Sequence, residues 1–196
     1  MVERFIAQMQ VTNKDAYIFA AITSGGPVFG MIGMLKRALK QKRIRLKYGK
    51  MIVSVTNYLP EYEAKGSEAL WQRVEAQIDR VAGAVIKRKV KWMPSLSFLN
   101  RLFYKAYPDE NCDQYFSIAP SCKGCTTCQK ICPTGNIIMK AGKPDFKHQC
   151  EHCLACLHNC PASALDWQNK TQGKARYRNA QVSLEELIAF ITCVLS

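Results

Sequence analysis

The chain has 196 residues, 48% of them hydrophobic, and a formal net charge of +13. That length suits one large or two small domains with a packed core. No apolar run reaches the ~18 residues that span a bilayer, and "MVERFIAQMQVTNKD" has an acid at its third position and no long apolar centre, unlike a signal peptide; a cytoplasmic protein is expected.

In chain order, "AYIFAAI" (16–22) is an apolar run with no polar side, which predicts a strand buried on both faces, and "TSGGP" closes it as a turn. Val28, Ile32, Leu35 and Leu39 then step at helical spacing, with a Lys/Arg-rich outer side. "MIVSVTN" (51–57) reads as a second buried strand and "YLPEYEAKG" as a loop. Ser67 is a candidate N-cap for a long helix that turns Leu70, Val74, Ile78, Val81 and Val85 to one side. Strand–helix–strand–helix implies parallel strands with helical crossovers.

Residues 92–111 mix Pro, Asn and aromatics and read as a connector, with helical turns around "SLSFLNRLFYKAY". Short β-prone pieces follow ("YFSIAP", "NIIMK", "LDWQ") among cysteines and prolines, and "SLEELIAFITCVL" closes the chain as an amphipathic helix, with Ser183 and Glu186 as a capping box. The expected organisation is therefore 1–91, a connector 92–111, a cysteine-rich domain 112–172 and a helical tail 173–196.

Positive charge concentrates early. Residues 1–110 hold 19 Lys+Arg against 9 Asp+Glu, and no acid lies between Ala16 and Pro60. Such a surface attracts acidic partners, a redox protein or nucleic acid, and is equally the solvated face of a helix.

Ten cysteines in a chain expected to be cytoplasmic point to metal rather than disulfides. Eight of them form a repeat: Cys122, Cys125, Cys128 and Cys132 recur 28 positions later as Cys150, Cys153, Cys156 and Cys160, each set followed by proline, Pro133 and Pro161. Three thiolates at x2 spacing curl round one face of an iron–sulfur cube. In C-x2-C-x2-C-x3-C-P runs the fourth cysteine ligates the other cluster. The spacing thus assigns Cys122, Cys125, Cys128 and Cys160 to one 4Fe–4S cluster and Cys150, Cys153, Cys156 and Cys132 to a second. Zinc is satisfied by two CxxC pairs and has no need of this pattern twice. Cys112 and Cys193 read as ordinary thiols, and His148, His152 and His158 as solvated or supporting side chains.

No Ser/His/Asp, paired-carboxylate or phosphate-loop constellation is visible, so no substrate chemistry is read. Electron transfer through the clusters is the expected function. The alternative is a basic nucleic-acid-binding module with structural clusters, using "KRKVK" (87–91) and Arg176 to Arg178.

Residues 113–168 resemble the bacterial two-cluster ferredoxins. With "YIFAAITSGG", "VFGMIGMLKRALKQKRIRLKYGKMIVSVTNYLPEY" and "KARYRNAQVSLEELI" added, most of the chain resembles a fusion of a flavodoxin-like domain to such a ferredoxin, found in anaerobes. The resemblance implies an α/β, partial flavodoxin-like fold (its last two strand–helix units) followed by an α+β ferredoxin-like domain. It also implies an oxidoreductase role, and FMN beside Thr23, Ser24, Gly25 and Gly26, with Asn57 and Tyr58 at a matching loop. Strands one to three of that family, and the phosphate-cradling loop after its first strand, have no counterpart here. This sets FMN binding against the loss of its anchor. It also leads to the expectation that an apolar edge at "AYIFAAI" associates with itself or with a chain supplying those strands.

Overall fold

In the computed structural model, which describes residues 2–13, 15–26, 30–59, 68–91 and 111–195, the elements begin with a helix, α1 (Val2–Gln8). Then come β1 (Ile18–Ser24), α2 (Met31–Gln41), β2 (Leu46–Val53) and α3 (Glu68–Ile86). After a 3-10 turn at Cys112–Tyr115 follow β3 (Phe116–Ile118), α4 (Thr127–Lys130), β4 (Ile137–Lys140), β5 (Lys143–Phe146), α5 (Ala155–Asn159), β6 (Leu165–Trp167) and α6 (Leu184–Leu195). Among the described residues the chain is α/β. It forms two units, Met1–Thr56 with Lys65–Tyr107, and Asn57–Ala64 with Pro108–Ser196.

In the first unit β1 and β2 pair in parallel, as the alternation predicts. Leu46, Leu39 and Ile6 form a core, joined by Ile18 and Ala20 of β1. Tyr48 and Ile52 of β2 pack with Val74, Val81 and Ala84 of α3 in another. Three details depart from the sequence reading. The second strand starts at Leu46, not Met51: Lys47 and Lys50 obscure its apolar run, although Leu46, Tyr48, Gly49 and Ile52 are buried. The first strand is not buried on both faces; it alternates half-buried and exposed residues, and Phe19 is 47% exposed, stacking on Tyr17. On α3, Ile78 turns outward (48% exposed), whereas the polar Gln77 lies against β2. The Gln77 side-chain amide accepts from the Val53 N–H and donates to the Val53 carbonyl, both at 3.2 Å. Val28 and Ser67 lie outside the described residues, as do residues 92–110 of the expected 92–111 connector.

The first helix was not anticipated. Ile6 anchors it in the core, and Lys42 Nζ donates to the Ala7 carbonyl (2.7 Å) at its C-terminal end, where carbonyls lack helical partners.

The second unit is built twice over. β3–α4–β4 and β5–α5–β6 are successive strand–helix–strand repeats, and they interlock: β3 pairs antiparallel with β6, and β4 with β5. Ile131, Ile137 and Leu165 are buried between them, and Leu184 and Leu187 of α6 pack on this core. The capping box on α6 forms in full: the Ser183 N–H donates to Glu186 Oε2 (2.8 Å) and the Glu186 N–H to Ser183 Oγ (3.1 Å).

The segment Asn57–Leu59 packs into this second unit. Leu59 is fully buried (0% exposed) in a cluster with Leu154, Leu157 and Trp167. Lys174 Nζ donates to the Leu59 carbonyl (2.9 Å), and His158 Nε2 to that of Asn57 (2.8 Å). Truncating so enclosed a side chain leaves a cavity as well as losing its transfer energy. Leu59→Ala is expected to cost the second unit about 2–5 kcal/mol, read as a lower midpoint in chemical denaturation at unchanged slope.

Candidate metal centres

Each cysteine-bearing loop bends through left-handed backbone. Gly124 and Thr126 have φ of 67° and 63°, and 28 positions on His152 and Leu154 have 50° and 58°. Gly135 (59°) and Ser163 (46°) form a third pair. The sequence repeat is thus a repeat of conformation, and in the first repeat the turns bring Cys122, Cys125 and Cys128 to one cavity. At Gly124 the position also admits no side chain, since a Cβ would lie 2.8 Å from the Gly142 carbonyl oxygen.

The thiols fall into two neighbourhoods. Burial pushes the Cys128 thiol up to about 11, and the charges that add to this are those of Cys125, Cys160 and Cys122. Cys156 is pushed up by burial too, and its neighbours are, in order, Cys153, Cys150, Cys132 and Cys128. Cys160, the last cysteine of the second repeat, therefore sits with the first three of the first repeat. Cys132 sits with the first three of the second. Cys122, Cys125, Cys128 and Cys160 line a cavity with about 350 Å³ of empty space, part of it open to solvent, together with Lys123 and Pro161.

The sulfurs also collect donors. The N–H of Asn136 points to Cys132 Sγ (3.3 Å), and the N–H of Ala164 to Cys160 Sγ (3.2 Å), the same four-residue step in both repeats. The His152 N–H donates to Cys150 Sγ (3.3 Å), and burial, aided by Cys112 and Asp113, raises Cys150 to about 12. Cys125 is exposed, and a hydrogen bond with the Thr127 hydroxyl (3.4 Å) lowers its pKa.

The donor set fits iron–sulfur chemistry. It is all thiolate, with amide N–H groups aimed at sulfur to carry part of the negative charge. Among the described residues, no three His, Cys, Asp or Glu side chains are gathered closely enough to hold a single metal ion. Zinc bound at ~2.3 Å would draw its sulfurs tightly together; Cys122, Cys125, Cys128 and Cys160 are ranged around the cavity.

Side chains that spacing alone does not single out surround the thiols. Asn136 Oδ1 accepts the N–H groups of Lys147 (3.2 Å) and Gln149 (2.6 Å), and its Nδ2 donates to buried Asp113 (2.9 Å). Asp113 also accepts from His148 Nδ1 (2.9 Å). This node fixes the chain just ahead of Cys150. The repeat does hold a clue to it, because the position matching Asn136 is Ala164, a break in the internal symmetry. His158 is buried, and accepting the Tyr177 N–H at Nδ1 (3.0 Å) leaves Nε2 as its protonated nitrogen. His152 lies between the rings of Tyr58 and Trp167, with centroids 5.4 and 4.6 Å away. Cys112 is buried and Cys193 exposed.

The four residues expected beside a flavin lie in the first unit, where Thr23 and Ser24 end β1. The Ser24 hydroxyl donates to the Gly26 carbonyl (2.6 Å), and the Thr56 hydroxyl to that of Gly25 (2.8 Å). A Cβ on Gly25 would meet Thr56 Oγ1 at 2.6 Å. These contacts close a turn on Thr56; they do not by themselves select a flavin.

Residues 121–165 match the family model of the 4Fe-4S dicluster domain. Comparison with curated proteins and with solved structures returned no match. The chain carries an iron–sulfur, ferredoxin-like module, and no helix among the described residues is long and apolar enough to cross a membrane.

Thiolate is the reactive form, so exposure and a lowered pKa act together. In the metal-free chain, alkylation at neutral pH followed by peptide mass analysis is expected to label Cys125 first, and Cys128, Cys150 and Cys156 last. Raising the pH toward 11 should narrow the gap at Cys128.

Proposed function

We propose that this chain is a one-electron carrier in which Cys122, Cys125, Cys128 and Cys160 hold one 4Fe–4S cluster and Cys150, Cys153, Cys156 and Cys132 a second. The observation that carries this reading is the exchange of the fourth thiol between repeats: Cys160 neighbours Cys128, and Cys132 neighbours Cys156. When bound, each cluster supplies a site for one electron. The protein's part is to supply thiolates, aim the Asn136, His152 and Ala164 amides at their sulfurs, and exclude water with Ile131, Ile137 and Leu165. No acid or base is required, since no proton need move.

An acidic redox protein fits as the exchange partner. Lys123 stands at the open cavity of the first cysteine set, and residues 121–147 carry five lysines against Asp145 alone. Asp145 is paired with Lys140 at 2.5 Å. Opposite charge would steer encounter toward that mouth. The first unit is proposed to be the strand–helix end of a flavodoxin-like sheet, supported by its parallel β1–β2 pair with α2 as the crossover. Supply of further strands by a second copy or another chain would pair the edge of β1.

Anaerobic iron, sulfide and flavin analysis of the purified chain tests this reading. The expected result is about eight irons and eight sulfides per chain, with visible absorbance bleached by dithionite. Zinc in place of iron would overturn it. FMN in near-stoichiometric amount would assign the Thr23–Gly26 turn to flavin. Cys160→Ser should perturb the cluster signal that Cys122→Ser perturbs, and not the one altered by Cys150→Ser, in electron paramagnetic resonance of the reduced protein; the reverse grouping would refute the exchanged ligation.

A further inference from the structure

Arg176 is held in place from several sides. Its Nη2 donates to the Leu165 carbonyl (3.1 Å). The next residue, Tyr177, gives its N–H to His158, and Lys174 two positions earlier donates to Leu59. Its Nη1 is buried and finds no hydrogen-bond partner among the described residues. The negative groups that act on it are Asp166, then Cys160, then Cys156. Asp166 is itself buried, and its Oδ1 already accepts from the Trp167 N–H (2.8 Å), the Thr171 N–H (2.8 Å) and the Thr171 hydroxyl. A half-buried cation whose enclosed Nη1 donor is idle is costly to maintain unless something compensates it.

We propose that Arg176 is a potential-setting residue: a fixed positive charge beside Cys160 and Cys156 that favours the reduced state of the iron–sulfur centres. The proposal rests on the reading of these thiols as cluster ligands. A thiolate-ligated cluster is anionic, and each electron it accepts adds one negative charge without forming or breaking a bond. A neighbouring cation interacts more favourably with the reduced form than with the oxidised one, which raises the midpoint potential. The idle Nη1–H is a donor for a group that brings its own acceptor sulfurs. Under the exchanged ligation, Cys160 and Cys156 belong to different centres, so one side chain acts on both, and more strongly on the one holding Cys160. Surface lysines would be screened by salt; a half-buried guanidinium with one nitrogen enclosed is screened less.

The test is an anaerobic redox titration, with dithionite as reductant, of the full chain and of Arg176→Met, Arg176→Gln and Arg176→Lys, each checked for iron content. Met and Gln are expected to keep the parent's iron and to make at least one centre tenfold harder to reduce, a negative shift of about 59 mV for one electron. Lys should restore most of that shift, and the shift should persist at high salt. Should Met fail to load iron, Gln carries the test, since it keeps a donor for the Leu165 carbonyl without the charge. Full iron with unmoved midpoints in the neutral variants overturns the proposal, as does a Lys variant shifted as far as Gln. A parent chain that binds no iron fails the cluster reading instead, and is told apart by the iron count alone.

Discussion

Three thiols within seven residues must face one point, and a right-handed or extended backbone does not bring them there. The chain meets this constraint with left-handed residues between the cysteines, and much of the second unit follows from how each repeat tolerates them. A side chain in that conformation costs about 1–2 kcal/mol. The first repeat avoids part of the cost with Gly124. The second places His152 and Leu154 at the equivalent turns, and both are held by packing: Leu154 against Leu59, Leu157 and Trp167, His152 against Trp167 and Tyr58. Backbone strain in one loop is thus coupled to an apolar cluster assembled from distant parts of the chain.

The two halves are alike in backbone and unlike in surroundings. The amide-to-sulfur bonds at Asn136 and Ala164 follow one rule. Only the first has a polar side chain, and it reaches Asp113 and the link between repeats. The first thiol set opens beside Lys123, whereas the second lies near Cys112, Asp113 and the Tyr58–His152–Trp167 stack. Similar ligands in dissimilar environments provide the physical means for two equivalent motifs to differ in redox behaviour.

Legibility in the sequence followed how local each determinant is. The cysteine repeat is a spacing, and spacing survives in one dimension; so do the parallel strand–helix alternation and the Ser183–Glu186 cap. What was lost depended on tertiary partners. Lys47 and Lys50 disguise β2 because a strand covered on its faces can still let long polar stems reach water. The apolar spacing selects Ile78, yet the amide of its neighbour Gln77 is suited to a strand end in a way that Ile78 is not. Asp113, His158 and Arg176 carry no signature of their own, since their meaning lies in partners at 11 to 101 positions' distance with no fixed sequence interval. α1 has a short amphipathic pattern whose burial depends on Leu39 and Leu46.

The enclosure of Leu59 bears on portability. A cysteine module delimited by its motif would be expected to move between genes as a contiguous cassette. Here part of its hydrophobic filling, and the carbonyl that receives the His158 N–H, are encoded about sixty positions upstream of the motif's first residue, across a stretch that belongs to the other unit. A graft of the cysteine-rich segment alone would arrive with an unfilled hollow beside Trp167. Its recipient would have to furnish a leucine and a backbone acceptor at that spot.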